Sequence, residues 1–405
     1  MPITIGICDG IFRKQNYMLN FEYYNPTRIV FGKDQLNRLP ELLKENKVER
    51  ILLTYGQGSI LKTGLYQAIM DVLSDFHVVP FQGIEANPEY TTLMKARDLG
   101  REEKIDFILA VGGGSVIDGT KFIAGAMKYD GDPWEVLDKK EGCNFTEAVP
   151  FGTVLTLPAT GSEANSGAVI NRSEFEQKRV MGGPMFFPQF SFCDPTQVAT
   201  LPKRQLANGI VDAYMHTLEQ YITYPSGNLL QERQAEAILA TLVEIGPKVI
   251  ENPADYTLAA NLMWSATHAL NGVLRCGVPT DWATHMIGHE LTAFYGIDHA
   301  RTLAIIAPRL YEAMFNDKKE KLAQYGKRIW NLTGTDEEIA KKAIESTERF
   351  FQSLGIDTRI SDYTENHAGV EGRVREVFET RGWTAMGERQ AIDPAKVEEI
   401  VAAAI

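Results

Sequence analysis

The stretch DFILAVGGGSVIDGTKFIAGAM, residues 106–127, decides the fold. An apolar run that reads as a buried strand ends in Gly112, Gly113, Gly114 and Ser115, and helical spacing begins at once. Glycines at such a junction let the backbone approach an anion, and the N–H groups of the first helical turn present the positive end of the helix dipole to it. A phosphate or pyrophosphate is the natural guest, with a tight, ligand-free turn as the competing reading. The spacing is not GxGxxG, so this loop alone does not establish the dinucleotide fingerprint.

Upstream, RIVFG, ERILLTYG and HVVPFQGI also read as strands, while LKTGLYQAIMDVLSDF (61–76) and YTTLMKARDLGREEKI (90–105) place apolar residues three and four apart, as helices do. Strand, helix and strand in succession predict a parallel sheet with crossover helices. Two further strand exits carry small, polar text: TYGQGS, residues 54–59, and TLPATGSEANSG, residues 156–167. Three such exits aim amides and hydroxyls at the carboxyl edge of one sheet, where these folds bind ligands, and this favours a nucleotide-sized guest over an empty turn. Gly56, Gln57, Gly58 and Ser59 offer no carboxylate to repel a 2′-phosphate, so NADP(H) is favoured over NAD(H). Lys62 could add charge there, but reads more simply as a solvated lysine.

After Leu201 the text becomes helical, in RQLANGIVDAYMHTLEQYIT, ERQAEAILATLVEIGPKVI, TLAANLMWSATHALNGVL, KEKLAQYGKRIWNLTG and DEEIAKKAIESTERFFQSLG. The proline-punctuated stretch FFPQFSFCDPTQVATLPKR, 186–204, lies between the two characters. The expected organisation is an extension over residues 1–17, an α/β domain over 18–200 and an all-helical domain over 201–405, with a ligand cleft between the domains.

The 405 residues are 44% hydrophobic and 23% charged with no long low-complexity tract, as in an ordinary globular chain. A net charge of −12 and the lack of any lysine or arginine block argue against nucleic acid or an anionic membrane as partner. Cys8, Cys143, Cys193 and Cys276 form no CxxC pair, so neither a disulfide framework nor a thiolate metal site is expected, and a reducing cytoplasm fits best. No apolar run reaches the roughly 18 residues of a spanning helix. The first 17 residues make a poor signal peptide and read as an extension outside the fold, with Met18 as an alternative start.

Seven histidines are present, and three of them, His285, His289 and His299, fall within DWATHMIGHELTAFYGIDHA, residues 281–300. In GIVDAYMHTLEQY, Asp212 and His216 stand four apart on one helix face, and His285 and His289 repeat that spacing. An oxygen and nitrogen set without cysteine suits Fe²⁺ or Zn²⁺. Each residue alone reads as easily as a core or solvated side chain, and only their co-occurrence favours a site. The zincin pattern HExxH is absent, because Ala293 stands where its second histidine belongs. His77, His268 and His367 lack a paired ligand candidate and read as structural or surface residues.

GGGSVIDGTKF, TLPATGSEANSGAVI, DAYMHTLEQY and HMIGHELTAFYGIDHA together resemble the iron-containing (group III) alcohol dehydrogenases, in their NADPH-dependent butanol dehydrogenase and broad-range aldehyde reductase branch. The likeness runs from about Met18 to the C-terminus. It implies an α/β N-terminal domain with a Rossmann-like, dehydroquinate synthase-like parallel sheet, an all-α C-terminal domain and one divalent metal in the cleft between them. By that resemblance Asp212, His216, His285 and His299 are the metal ligands, and His289 is a catalytic neighbour of the nicotinamide rather than a ligand. Gly112 to Ser115 (Gly112, Gly113, Gly114, Ser115) and Asp118 match the pyrophosphate loop, and Gly56, Gln57, Gly58 and Ser59 the adenosine-ribose end. Thr156, Thr160, Ser162 and Lys178 match contacts around the nicotinamide ribose and diphosphate, Asn87 a cofactor contact and Asn165 a substrate contact. A homodimer acting on short-chain aldehydes and primary alcohols is implied, with aldehyde reduction the favoured direction. Two rivals are a metal- and NAD-dependent lyase of the dehydroquinate synthase type and a non-enzymatic metal or nucleotide sensor. The lyase needs basic residues converging on a phosphorylated substrate, and the text around His285 offers only Arg275 and Arg301.

Overall fold

The computed structural model describes residues 17–137 and 145–405. The readings made for residues 1–16, Cys8 and Cys143 lie outside the described residues. Six strands form one sheet: β1 (Arg28–Phe31), β2 (Arg50–Tyr55), β3 (His77–Gln82), β4 (Phe107–Gly112), β5 (Phe151–Leu155) and β8 (Phe190–Cys193), in the order β3-β2-β4-β5-β8-β1. Every pairing in it is parallel. Alternate residues feed two cores: Ile51, Leu53, Phe107, Leu109 and Val111 pack on one face, Leu52, Ile108 and Ala110 on the other. Burial on both faces is why these strands read as unbroken apolar text. The chain runs from β2 outward to β3 and then returns to lay β4 on the other side of β2. That reversal opens a crevice beyond Tyr55 and Gly112, the place where such sheets bind ligands.

Two details depart from the sequence expectation. Residues 61–76 do not form one helix: a short turn of helix, Ser59–Lys62, is followed by Leu65–Val72, with Gly64 between them at φ 81°. The text GAVINRSEFEQKRVMG, given no element above, forms an antiparallel hairpin of β6 (Gly167–Arg172) and β7 (Gln177–Gly182). The hairpin is tied to the sheet side by Asn171 Nδ2 and Ser173 Oγ, which donate to the Glu89 carboxylate at 2.7 and 2.8 Å. Its tip reaches the other side, where Arg373 Nη2 meets Glu176 Oε2 at 2.6 Å.

From Lys203 onward the regular elements are helical. Helices Lys203–Tyr221, Ala283–Tyr295 and His299–Ala313 carry the aspartate and histidines singled out above. One sheet-face core, with Ile108 and Phe151, runs on without a break into Ile210, Tyr214, Leu303 and Phe351 of the helical half. The halves press closely together at Gly209, where an ideal Cβ would lie 2.5 Å from the Pro158 carbonyl oxygen. A backbone atom cannot step aside as a side chain can, so Gly209→Ala should push this helix off the loop after β5. The expected cost is about 1–3 kcal/mol of unfolding free energy, the scale of an overpacked core, read from urea denaturation. Unchanged stability would show that the helix can back away freely.

Candidate functional site

A cleft of about 1680 Å³ runs from the ends of β2 and β4 to the histidines of the helical half. Its volume exceeds the few hundred to 1,000 Å³ typical of a single small-ligand pocket, which leaves room for a cofactor and a substrate together. At one end Gly56, Gln57 and Ser59 line it, while Gly58 stands behind them at φ 104° as the N-cap of the following helical turn. Gln57 Nε2 donates to the Gly83 carbonyl at 3.0 Å. In the middle, Gly113 caps the helix Gly114–Ala126 without a side-chain cap, so the first amides of that helix are left for another acceptor.

The need for glycine here is steric as well as chemical. A Cβ on Gly114 would lie 2.4 Å from Thr160 Oγ1, because the loop after β5 presses on the glycine turn. Thr156, Thr160, Ser162 and Asn165 of that loop line the cleft, as do Gly112 to Ser115, Asp118, Asn87 and Lys178. Several of these side chains are already engaged. The Ser115 hydroxyl donates to the Ala86 carbonyl. Asp118 accepts from Ser162 Oγ at 2.5 Å and from the Val169 amide at 2.9 Å. Asn165 donates to the Gly161 carbonyl at 2.9 Å and accepts from Lys121 Nζ at 3.1 Å. Lys178 Nζ donates to Asn87 Oδ1 at 3.3 Å, and burial holds its pKa down to about 8 against the attraction of Asp118, Asp212 and Glu290.

At the far end Asp212, His285 and His299 offer one ligand atom each, all within 4.8 Å of one another. His216 stands just outside that triad, its Nδ1 3.7 Å from Asp212 Oδ1 and its ring stacked 4.7 Å from that of His285. Asp212 Oδ1, His216 Nδ1, His285 Nε2 and His299 Nδ1 are buried and have no hydrogen-bond partner among the described residues. Leaving four such atoms unsatisfied is costly, and a divalent cation among them would satisfy the carboxylate and imidazole donors alike. Burial also holds the His216 pKa down to about 4 and that of His285 to about 3, so both rings are neutral at ordinary pH, the form that binds metal. The residues therefore fit a metal. His289 lies beyond His299, ring centroids 4.8 Å apart, and lines the cleft on the side away from His216.

Glu219, to which the sequence reading gave no role, supports this cluster from behind. Its carboxylate accepts from the Thr284 amide at 2.7 Å and from His285 Nδ1. With Nδ1–H held there, the His285 lone pair is on Nε2, facing Asp212 and His299. The signal was in the text, since Asp212, His216 and Glu219 follow i, i+4, i+7 spacing on one helix. Glu290, beside His289, is held by Arg381 Nη1 at 2.6 Å and is thus an ion-pair partner. The basic residues along the cleft are also not those next to His285 in sequence. Arg301 donates to Asn208 at 3.1 Å and to Tyr363 at 3.3 Å, whereas Lys62, Lys178, Arg179, Arg204 and Arg381 line the cleft.

The model of the iron-containing alcohol dehydrogenase family matches residues 26–195, and that of the family's C-terminal region matches residues 206–405. The chain belongs to the iron-containing alcohol dehydrogenase family. It is 48% identical over 378 residues to the NADPH-dependent aldehyde reductase YqhD of Escherichia coli K12, covering 93% of this chain and 97% of that one. It is 42% identical over 354 residues to the probable NADH-dependent butanol dehydrogenase 1 of Bacillus subtilis 168, covering 86% and 91% of the two chains. The crystal structure of E. coli YqhD superposes with a TM-score of 0.93 at 47% identity, over 96% of this chain and all of that one.

Replacing Glu219 with Gln should weaken Zn²⁺ binding about 10–100-fold, the usual effect of losing a partner behind a metal-binding histidine. Equilibrium dialysis of the folded variant reads this directly. An unaltered affinity would show that His285 is oriented without the carboxylate.

Proposed function

We propose that this chain reduces short-chain aldehydes to primary alcohols with NADPH and one bound divalent metal, Fe²⁺ or Zn²⁺. The observation that carries the reading is the group of unsatisfied donors on Asp212, His216, His285 and His299, facing the same cleft as the glycine turn at Gly112 to Gly114. Asp212, His216, His285 and His299 would hold the ion, which supplies Lewis-acid polarisation of a carbonyl oxygen when bound. NADPH supplies the hydride.

The chain's own residues bind, orient and exclude water. The amides at the start of Gly114–Ala126 receive the diphosphate, and Gly56 to Ser59 themselves present no carboxylate to the 2′-phosphate. Thr156, Thr160 and Lys178 line the nicotinamide end, with Asn87 holding Lys178. Trp282, Met286 and Leu270 wall the cleft beside the histidines and keep water from the reacting carbon. In reduction, a hydride reaches the carbonyl carbon and a proton its oxygen; His289, in the cleft beside His299, relays that proton from solvent through its ring nitrogens. NADPH as donor favours aldehyde reduction as the working direction. Asn165, the substrate contact implied by the resemblance, lines the cleft but spends its amide on Lys121 and the Gly161 carbonyl, so no substrate role is assigned to it.

The same reading divides the chain at 200/201, between the last sheet strand, ending at Cys193, and the helix that begins at Lys203. It also makes the protein a homodimer in the cytoplasm. Among the described residues strand β1 is paired on one side only, and Phe31, Tyr256 and Trp264 expose aromatic surface near it. Cys193 and Cys276 are free thiols, and no helix among the described residues is long and apolar enough to cross a membrane.

With butyraldehyde, NADPH should be consumed faster than NADH at equal concentration. Chelation should abolish the reaction and added Fe²⁺ or Zn²⁺ restore it; metal-independent turnover, or none with any small aldehyde, would refute the assignment. His289→Ala should slow turnover about 10²-fold, the low end of acid–base contributions, with an altered pH profile. Turnover and profile both unchanged would remove His289 from the proton path.

A further inference from the structure

Lys121 lies inside the stretch that decides the fold, yet no role has been given to it. Its side chain is fully buried on the helix Gly114–Ala126, one turn after Asp118. All three N–H groups of its ammonium have acceptors: Ser162 Oγ at 2.7 Å, the Gly167 carbonyl at 2.7 Å and Asn165 Oδ1 at 3.1 Å. An ammonium has no fourth donor, so Lys121 cannot also bind a coenzyme. Asp118 completes the arrangement, taking Ser162 Oγ and, through its other oxygen, the Val169 amide on β6. Burial pulls the Lys121 pKa down to about 8, while the Asp118 and Glu163 carboxylates act to keep it charged.

The acceptors belong to two segments that shape the cleft. Ser162 and Asn165 are in the loop after β5, whose Thr160 presses against Gly114, and Gly167 begins the hairpin that carries Lys178. We propose that Lys121 is a positioning residue for the coenzyme: its ammonium fixes the loop after β5 and the root of the hairpin where the glycine turn is open to a pyrophosphate. Asn165 then serves the coenzyme through Lys121 and is not a substrate contact. Without the ammonium, Ser162 Oγ and the Gly167 carbonyl lose this donor, Asn165 Oδ1 keeps only the Gly167 amide and Asp118 loses the larger of its two lysine counter-charges, so the loop moves relative to Gly114. The metal cluster, on other helices and supported by Glu219, keeps its geometry. This inference rests on reading the cleft as an NADPH site.

The test is fluorescence titration of the full-length chain with NADPH, for wild type, Lys121→Met and Asn165→Ala, alongside calorimetric Zn²⁺ titration and the butyraldehyde KM at saturating NADPH. Lys121→Met should raise the NADPH Kd roughly tenfold or more, the scale set by buried acceptors left unpartnered. Asn165→Ala, which removes one acceptor, should raise it by a smaller factor. Zn²⁺ affinity and the butyraldehyde KM should stay within twofold of wild type in both. An NADPH Kd within twofold of wild type in folded Lys121→Met overturns the proposal, as does equal loss of Zn²⁺ and NADPH affinity. Should Lys121→Met not fold, Asn165→Ala decides: a raised NADPH Kd supports the positioning role, and a change confined to the aldehyde KM refutes it. A wild-type chain that reduces aldehyde and binds NADPH keeps the functional reading intact whatever the variants do, whereas one that binds no NADPH overturns both.

Discussion

The site depends first on a contact that only glycine permits. The helix Lys203–Tyr221 carries Asp212, His216 and Glu219, and it reaches the loop after β5 because Gly209 presents no side chain to the Pro158 carbonyl. That approach brings a helix of one half against a loop of the other, which the neighbouring helix Tyr256–Ala269 also meets through Thr267 and Glu163. The same loop shapes the glycine turn through Thr160 and Gly114. Two glycines, one in each half, thus set the spacing between the metal cluster and the anion-binding turn. Neither has a positive φ among the backbone conformations recorded; both are needed for closeness, not for an unusual turn.

Electrostatics then makes the far end specific. Desolvation drives the four histidines of the cleft toward the neutral form and raises Asp212, so the cluster taken alone is a set of lone pairs in a poorly solvated place. A cation reverses that cost for the carboxylate and is favoured by the same neutrality of the imidazoles. Lys178 supplies a counterweight, a buried ammonium whose field falls on His285, His289 and His299. Any negative charge developing on an oxygen at this end of the cleft would be attracted by this lysine.

Much of this architecture was legible in the text, and the reasons are particular. Strands β2 and β4 read clearly because both faces are buried and the apolar run is continuous. Asp212 and His216 could be paired from spacing because a helix puts i and i+4 on one face. What spacing could not supply was convergence: that helices starting at Lys203, Ala283 and His299 aim their side chains at one point is a property of packing. The hairpin escaped because GAVINRSEFEQKRVMG alternates poorly, with polar residues that serve Glu89 and the cleft instead of water. The helix expected over 61–76 was divided because Gly64 lies inside otherwise helical spacing and takes a left-handed conformation. Lys121 was hidden for a different reason. A lysine in a helix reads as solvated by default, and only the finished fold shows a buried ammonium held by three protein acceptors.

The hairpin has unequal moorings, and that has a mechanical consequence. Asn171 and Ser173 fasten it to Glu89 and the Asp118 carboxylate grips its first strand, all on the sheet side. Toward the helical half its tip holds one exposed ion pair, Glu176 with Arg373, the kind worth at most about 1 kcal/mol and weakened by salt. The hairpin is in effect a cantilever, rooted in the sheet half, with its second strand laid along the helix Ala283–Tyr295 of the other. If the two halves part to exchange a coenzyme, it travels with the sheet and takes Lys178 with it. The ammonium then withdraws from Asp212 and the histidines each time the cleft opens, and returns only when it shuts.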